Sequence, residues 1–185
     1  RNKNPLSAIA AYITGQRKDE DLLIRGEDDK LTTTSQDGRW GNSKEWDYIF
    51  ATYDTHFEDY LETKEGEKLP VKHCLYQSEG WKINDDVYQA IVNAEINGTK
   101  VTTIAKETFG YPDFGHAMMD VMGIETEEDL QEMNITMCGF CTDICVVSNA
   151  LILKACFYKE AEINVQPLDI SSITDPVSTE NVADN

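Results

Sequence analysis

The chain has 185 residues, enough for one domain with a sizeable core, and its 41% hydrophobic and 27% charged residues are those of an ordinary globular protein. A formal charge of −18 argues against nucleic acid or an anionic membrane as partner, since both carry the same sign, and favours small-molecule chemistry in a local site. Five cysteines, an odd number with no regular spacing and no secretory signal, read as reduced thiols in the cytoplasm, and no apolar run is long enough to span a bilayer.

Residues 5–15 (PLSAIAAYITG) have the pattern of a short helix ended by Gly15, and residues 21–25 form a weak strand candidate. The polar run 27–44 reads as loop. WDYIFATYD is dense in aromatic and β-branched residues and predicts a strand. A long irregular stretch follows through Gly66, Pro70 and Gly80. NDDVYQAIVNAE then predicts a helix with an Asn or Asp cap and apolar residues at Val87, Ile91 and Val92. KVTTIA predicts a strand, DFGHAMMDVMG a helix stopped by Gly123, and EEDLQEM a short acidic helix. NITMCGF reads as a strand that turns directly into an apolar-periodic helix carrying Cys145. AEINV is a further strand, and a helix start is expected at Pro176. This alternation predicts a parallel sheet covered on both faces, within a single domain over 1–185.

Ligands in open parallel sheets bind at the carboxyl ends of the strands, so the residues there carry the functional reading. Cys145, in the first turn of its helix, faces unpaired N–H groups and the positive end of the helix dipole, which favour a thiolate; a core cysteine is the bland alternative. Asp54 and His56, two apart on an extended chain, share one face, and His73 follows 17 residues after His56. One carboxylate and two imidazoles suit a divalent zinc, iron or manganese ion; an Asp–His hydrogen bond plus a loop histidine is the alternative. Lys106 is either a solvated strand cap or an ammonium that lowers a nearby thiol's pKa and holds developing negative charge. Phe109 and Tyr111 could wall a flat aromatic substrate or belong to the core. His116, on a predicted helix, reads as structural or surface.

DTHFEDYLETKEGEKLPVKHC, KETFG and GFCTDICVVSNALILKA, in this order, resemble the nicotinamidase branch of the isochorismatase-like cysteine hydrolases, from about Asp47 to Val165. The resemblance implies a three-layer α/β/α sandwich around a mainly parallel sheet, and hydrolysis of nicotinamide to nicotinate and ammonia. It makes Cys145 the nucleophile, Lys106 the catalytic lysine, and Asp54, His56 and His73 the ligands of one divalent metal ion, zinc first. It implies a cis peptide between Phe140 and Cys141, an oxyanion hole from the N–H groups of Cys141 and Cys145, and an aromatic substrate wall at Phe109 with Tyr111 beside it. Asp143 braces the turn. The implied partner is a small aromatic amide, and oligomers are frequent in the family.

Two departures stand against that pattern. Family members carry a catalytic aspartate after the first strand, in a context like V-V-D-M-Q-N-D-F. Here the nearest acids are Glu27, Asp28 and Asp29, in the atypical segment 1–46, and none is singled out. LDISSITDPVSTENVADN, with Asp169 at a strand end, stops where a last helix and strand would follow; an edge left this way is one that a neighbouring subunit could cover. Two functional classes follow: a metal-dependent amidase, and a catalytically impaired homologue that binds metal or small ligand without turnover.

Overall fold

A computed structural model describes residues 46–126, 129–130 and 132–165. The helix expected over 5–15, the strand over 21–25, the loop over 27–44, the acids Glu27, Asp28 and Asp29, and the segment with Asp169 and Pro176 all lie outside the described residues. Within them the chain forms two compact units, one of residues 46–51 and 83–104, the other of 52–82 and 105–165. Strands β1 (Tyr48–Asp54) and β2 (Lys100–Lys106) are hydrogen-bonded neighbours.

The aromatic and β-branched residues of β1 favour an extended pleat. Its pairing with β2 is parallel: the Lys100 N–H donates to the Asp47 carbonyl at 3.0 Å, and the Thr55 N–H donates to the Lys106 carbonyl at 2.8 Å. That register sets Asp54 beside Lys106 at the carboxyl ends of both strands. In the first unit, helix α1 (Asp85–Ile96) starts where the Asn84 side chain accepts the Asp86 N–H at 3.1 Å, with Asp85 and Asp86 at the positive end of the dipole. Its buried stripe is Ala90, Ile91 and Ala94, with Val87 and Val92 half-buried beside it.

In the second unit, helix α2 (Phe114–Met122) stops at Gly123, whose φ of 72° a side chain would resist. The Gly123 and Ile124 N–H groups cap it by donating to the carbonyls of Asp120 (3.2 Å) and Met119 (2.9 Å). Strands β3 (Met133–Met137) and β4 (Ala161–Val165) pair in parallel from Met133↔Ala161 to Met137↔Val165. Between them lie a π-helical turn (Thr142–Val146) and helix α3 (Val147–Cys156). Leu153 and Phe157, each 1% exposed, anchor a core completed by Phe114, Met118, Val146 and Ala161. The described residues are thus mixed α/β, with two small parallel two-stranded sheets. Among them no helix is long and apolar enough to cross a membrane.

The structure departs from the sequence reading at two elements. The strand expected through Phe140 ends at Met137, because Gly139 at φ 153° turns the chain away. Cys145 consequently lies in the π turn rather than in the first turn of an α-helix; there the Cys141 carbonyl accepts from both Ile144 and Val146, each at 3.2 Å. The acidic helix expected over 127–133 falls partly outside the described residues, and Met133 opens β3.

Gly115 sits where α2 meets the end of α3. A Cβ there would run into the Cys156 sulfur and stand 2.9 Å from the Cys156 Cβ. Gly115→Ala is expected to cost about 1–3 kcal/mol through overpacking, read as a lower urea midpoint at unchanged slope. Adding Cys156→Ala should restore part of the loss.

Candidate metal and thiol site

Asp54 ends β1, and the chain from Thr55 onward is pinned at once. The His56 N–H donates to the Cys74 carbonyl at 3.0 Å and the Tyr76 N–H to the His56 carbonyl at 2.8 Å, so His56 and Leu75 form an isolated parallel bridge. Closing that loop returns His73 to His56, with ring centroids 4.6 Å apart. His73 Nδ1 lies 2.7 Å from the Val71 carbonyl, an acceptor, so this nitrogen is the donor and the ring's Nε2 is the atom turned toward Asp54. The Nε2 atoms of His56 and His73 are each 3.9 Å from Asp54 Oδ2. One ligand atom from each of the three residues falls within 4.8 Å of the others, so the set could hold a metal ion.

Two further observations fit a cation there. His56 is 2% exposed, and its Nε2 is buried without a hydrogen-bond partner among the described residues, a costly state for an imidazole lone pair. Burial and the neighbouring His73 hold the His56 pKa below its ordinary value, against the pull of Asp54, which keeps the ring in its neutral, ligating form. Tyr60, also 2% exposed, packs against both imidazoles, with centroids 4.3 Å from His56 and 5.1 Å from His73.

Lys106 is not a solvated cap. It is 4% exposed; its Nζ contacts Asp54 Oδ1 directly and donates to the Thr108 carbonyl at 3.0 Å. Cys145 Sγ donates to the other oxygen of the same carboxylate, Oδ2, at 3.8 Å. Asp54 therefore meets thiol, ammonium and both imidazoles. Among the described residues, this contact set places one acid, Asp54, beside Cys145.

The expected lowering of the thiol pKa is reversed. Burial and then the Asp54 charge push the Cys145 thiol up to about 12; Lys106 and a backbone hydrogen bond from Cys141 oppose this with smaller effect. The ammonium lies against the carboxylate, so the sulfur faces the negative member of the pair. The Phe140–Cys141 peptide is cis, the geometry the resemblance implies at that position. Asp143 and His116 are exposed, and Phe109 and Tyr111 are half-buried, with Tyr111 6.1 Å from Phe114 between centroids.

Three residues that sequence reasoning passed over belong to this neighbourhood. Glu65 accepts the Phe109 N–H on Oε2 at 2.9 Å, while its Oε1 is buried without a partner among the described residues; burial, then the Asp54 charge, raises its pKa against that hydrogen bond. The Tyr60 hydroxyl is likewise unpartnered, and burial with the charges of Glu65, Asp54 and Cys145 pushes it up to about 12. Asn149, 3% exposed, donates to the carbonyls of Cys145 (2.7 Å) and Phe109 (3.3 Å) and accepts the Tyr111 N–H at 2.8 Å. An acid in a glycine-ended turn and an amide in an apolar helix were the only signals the sequence offered for the first and last of these.

Purified protein should take up one zinc ion per chain, measured by chelator competition. His56→Ala and His73→Ala should each weaken uptake by more than the roughly 10–100-fold that removing an outer partner costs. A second expectation concerns alkali. Burial pushes the Cys138 thiol up to about 11 from its ordinary 9.0. Its protonated form is favoured by folding, so this contribution is intact below pH 9 and is lost as pH rises from 9 toward 11. The loss reaches about 3 kcal/mol at most, and Cys138→Ala should show a correspondingly flatter decline of urea midpoint with pH.

Comparison with protein-family models, with curated proteins and with solved structures returns no match for this chain.

Proposed function

We propose that this chain is a metal-dependent cysteine amidohydrolase that converts nicotinamide to nicotinate and ammonia, on the three-layer α/β/α fold that its sequence resembles. The observation that carries the reading is the convergence on one carboxylate, Asp54, of a thiol, a buried ammonium and two imidazoles. Thiol and ammonium are the equipment of nucleophilic acyl transfer, and the carboxylate–imidazole set is that of a divalent cation.

The resting thiol is protonated, since burial and Asp54 hold its pKa high. Attack on the carboxamide carbon therefore requires the proton to leave the sulfur as the C–S bond forms, and Asp54 Oδ2 is within reach to accept it. Negative charge moves to the amide oxygen, where the N–H groups of Cys141 and Cys145 are the donors this reading assigns. The buried Lys106 ammonium stabilises the negative charge around Asp54. The proton passes to the amide nitrogen, the C–N bond breaks, ammonia leaves, and a Cys145 thioester is left behind. Water then attacks the thioester carbon, nicotinate departs, and the thiol regains its proton. A divalent ion, zinc first and iron or manganese as alternatives, would be held by Asp54, His56 and His73 and would supply Lewis acidity toward the pyridine nitrogen. Phe109 and Tyr111 would bound the ring.

The same geometry supports a second reading, a homologue that binds metal or small ligand without turnover. Its observation is that the Lys106 ammonium is engaged by Asp54, so that the sulfur faces the carboxylate, which together with burial raises the thiol's pKa. Ammonia release from nicotinamide by the zinc-loaded protein separates the two. Turnover is expected in the wild type, with a loss of about three orders of magnitude or more in Cys145→Ala. Activity that survives the substitution overturns the nucleophile. No turnover in either protein, with zinc bound one per chain, establishes the second reading.

A further inference from the structure

The segment after β2 is gripped from two directions. On one side the Glu65 carboxylate, from the loop that carries His56 and His73, accepts the Phe109 N–H at 2.9 Å. On the other, the Asn149 amide, from α3, donates to the Phe109 carbonyl at 3.3 Å and accepts the Tyr111 N–H at 2.8 Å. The same amide donates to the Cys145 carbonyl at 2.7 Å, one helical turn back. Asn149 is 3% exposed, and its oxygen and nitrogen are both engaged. A buried amide placed this way fixes the distance between the backbone carrying the thiol and the backbone carrying Phe109. Gly110 makes the approach close: a Cβ there would stand 2.7 Å from Ile152 Cδ1 and 3.3 Å from Ser148 Cβ, both on α3.

We propose that Asn149 is a positioning residue that sets the spacing between Cys145 and the Phe109–Tyr111 segment, and thereby the width of the slot in which a planar aromatic ring reaches the thiol. It touches neither substrate nor metal ligand in this role; it acts through the two backbones it joins. A helix-internal asparagine whose only service was to its own helix would need the bond to the Cys145 carbonyl alone, the i−4 back-bond that a serine can also make. The bonds to Phe109 and Tyr111 are what that service does not require. The inference rests on the amidase reading in one respect, the assignment of Phe109 to the substrate wall.

The test compares, in zinc-loaded full-length protein, the rate at which Cys145 is alkylated by chloroacetamide and by a chloroacetamide carrying a pyridyl group, followed by peptide mass spectrometry. The wild type should favour the pyridyl reagent by about tenfold. Asn149→Ala and Asn149→Ser should both reduce that preference to about twofold or less, with zinc affinity unchanged, because neither keeps the bridge to Phe109. The KM for nicotinamide should rise by more than kcat falls. Gly110→Val, which forces the segment off α3 while leaving Asn149 in place, should lose the preference in the same way, and it decides the matter if the Asn149 variants fail to fold. Full preference in Asn149→Ala, in Asn149→Ser or in Gly110→Val overturns the inference, as does a wild type with no preference. A wild type that shows the preference yet releases no ammonia from nicotinamide sinks the amidase reading alone and leaves the spacing role standing.

Discussion

Everything at this site depends on one desolvated carboxylate. The parallel register of β1 and β2 puts Asp54 beside Lys106, and the two form a largely buried pair at the strand ends. Either charge without the other would be a buried unpaired ion, a state that costs several kcal/mol, so the pair constrains the strand ends as firmly as the ladder does. Its second consequence is electrostatic. With one oxygen committed to the ammonium, the remaining oxygen presents negative potential to Cys145, His56 and His73 together. The thiol responds by holding its proton. His56 stays neutral, because its burial and His73 outweigh the attraction of the carboxylate.

The loop between His56 and Leu75 converts a distant histidine into a neighbour, and it is held by short local contacts around one 3-10 turn (Tyr60–Glu62) and the His56–Leu75 bridge. Thr63 Oγ1 donates to the Tyr60 carbonyl at 2.7 Å and accepts the Gly66 N–H at 2.9 Å. Gly66 lies so close to that turn that a Cβ would strike the Tyr60 carbonyl oxygen and stand 2.9 Å from the Leu61 Cα. The turn holds the Tyr60 ring under both imidazoles, and Trp81 Nε1 ties the far end of the region to Thr55 at 2.9 Å. Such a loop determines where the nitrogens stand before any ion arrives, which reduces the ordering cost that ion binding must overcome.

Local pattern made much of this legible in the sequence. The aromatic run of β1, the Asn84 cap with its acidic first turn, the Gly123 stop and the AEINV strand are short-range signals, and the structure carries them where the pattern placed them. The Asp54/His56/His73 set was legible because its members sit at a strand end and a loop end, where residue type alone narrows the chemistry. What pattern could not give was register and burial. That Asp54 faces Lys106 follows from pairing between residues 52 apart, and that it reaches Cys145 from a separation of 91. The direction of the thiol's pKa was misjudged for the same reason: helix position is local, whereas desolvation and the nearest opposing charge are not.

The π turn shows why the cysteine's setting differs from an ordinary helix start. A wider turn lets the Cys141 carbonyl take two N–H groups, from Ile144 and Val146. The Cys145 carbonyl in turn accepts a side-chain amide, that of Asn149. An apolar residue at 149 would continue the buried face of α3 with equal helix propensity or better, yet it would leave the Phe109 carbonyl and the Tyr111 N–H without that partner in a half-buried segment. The chain therefore trades helix preference for a bond network that joins the Cys145 backbone to the Phe109–Tyr111 segment. The cost of desolvating such a network is recovered only if every polar atom in it is satisfied, and at Asn149 both side-chain polar atoms are. At Glu65 and Tyr60, in contrast, a carboxylate oxygen and a hydroxyl are buried without a partner among the described residues. The satisfied network is the frame that holds the Phe109–Tyr111 segment against α3.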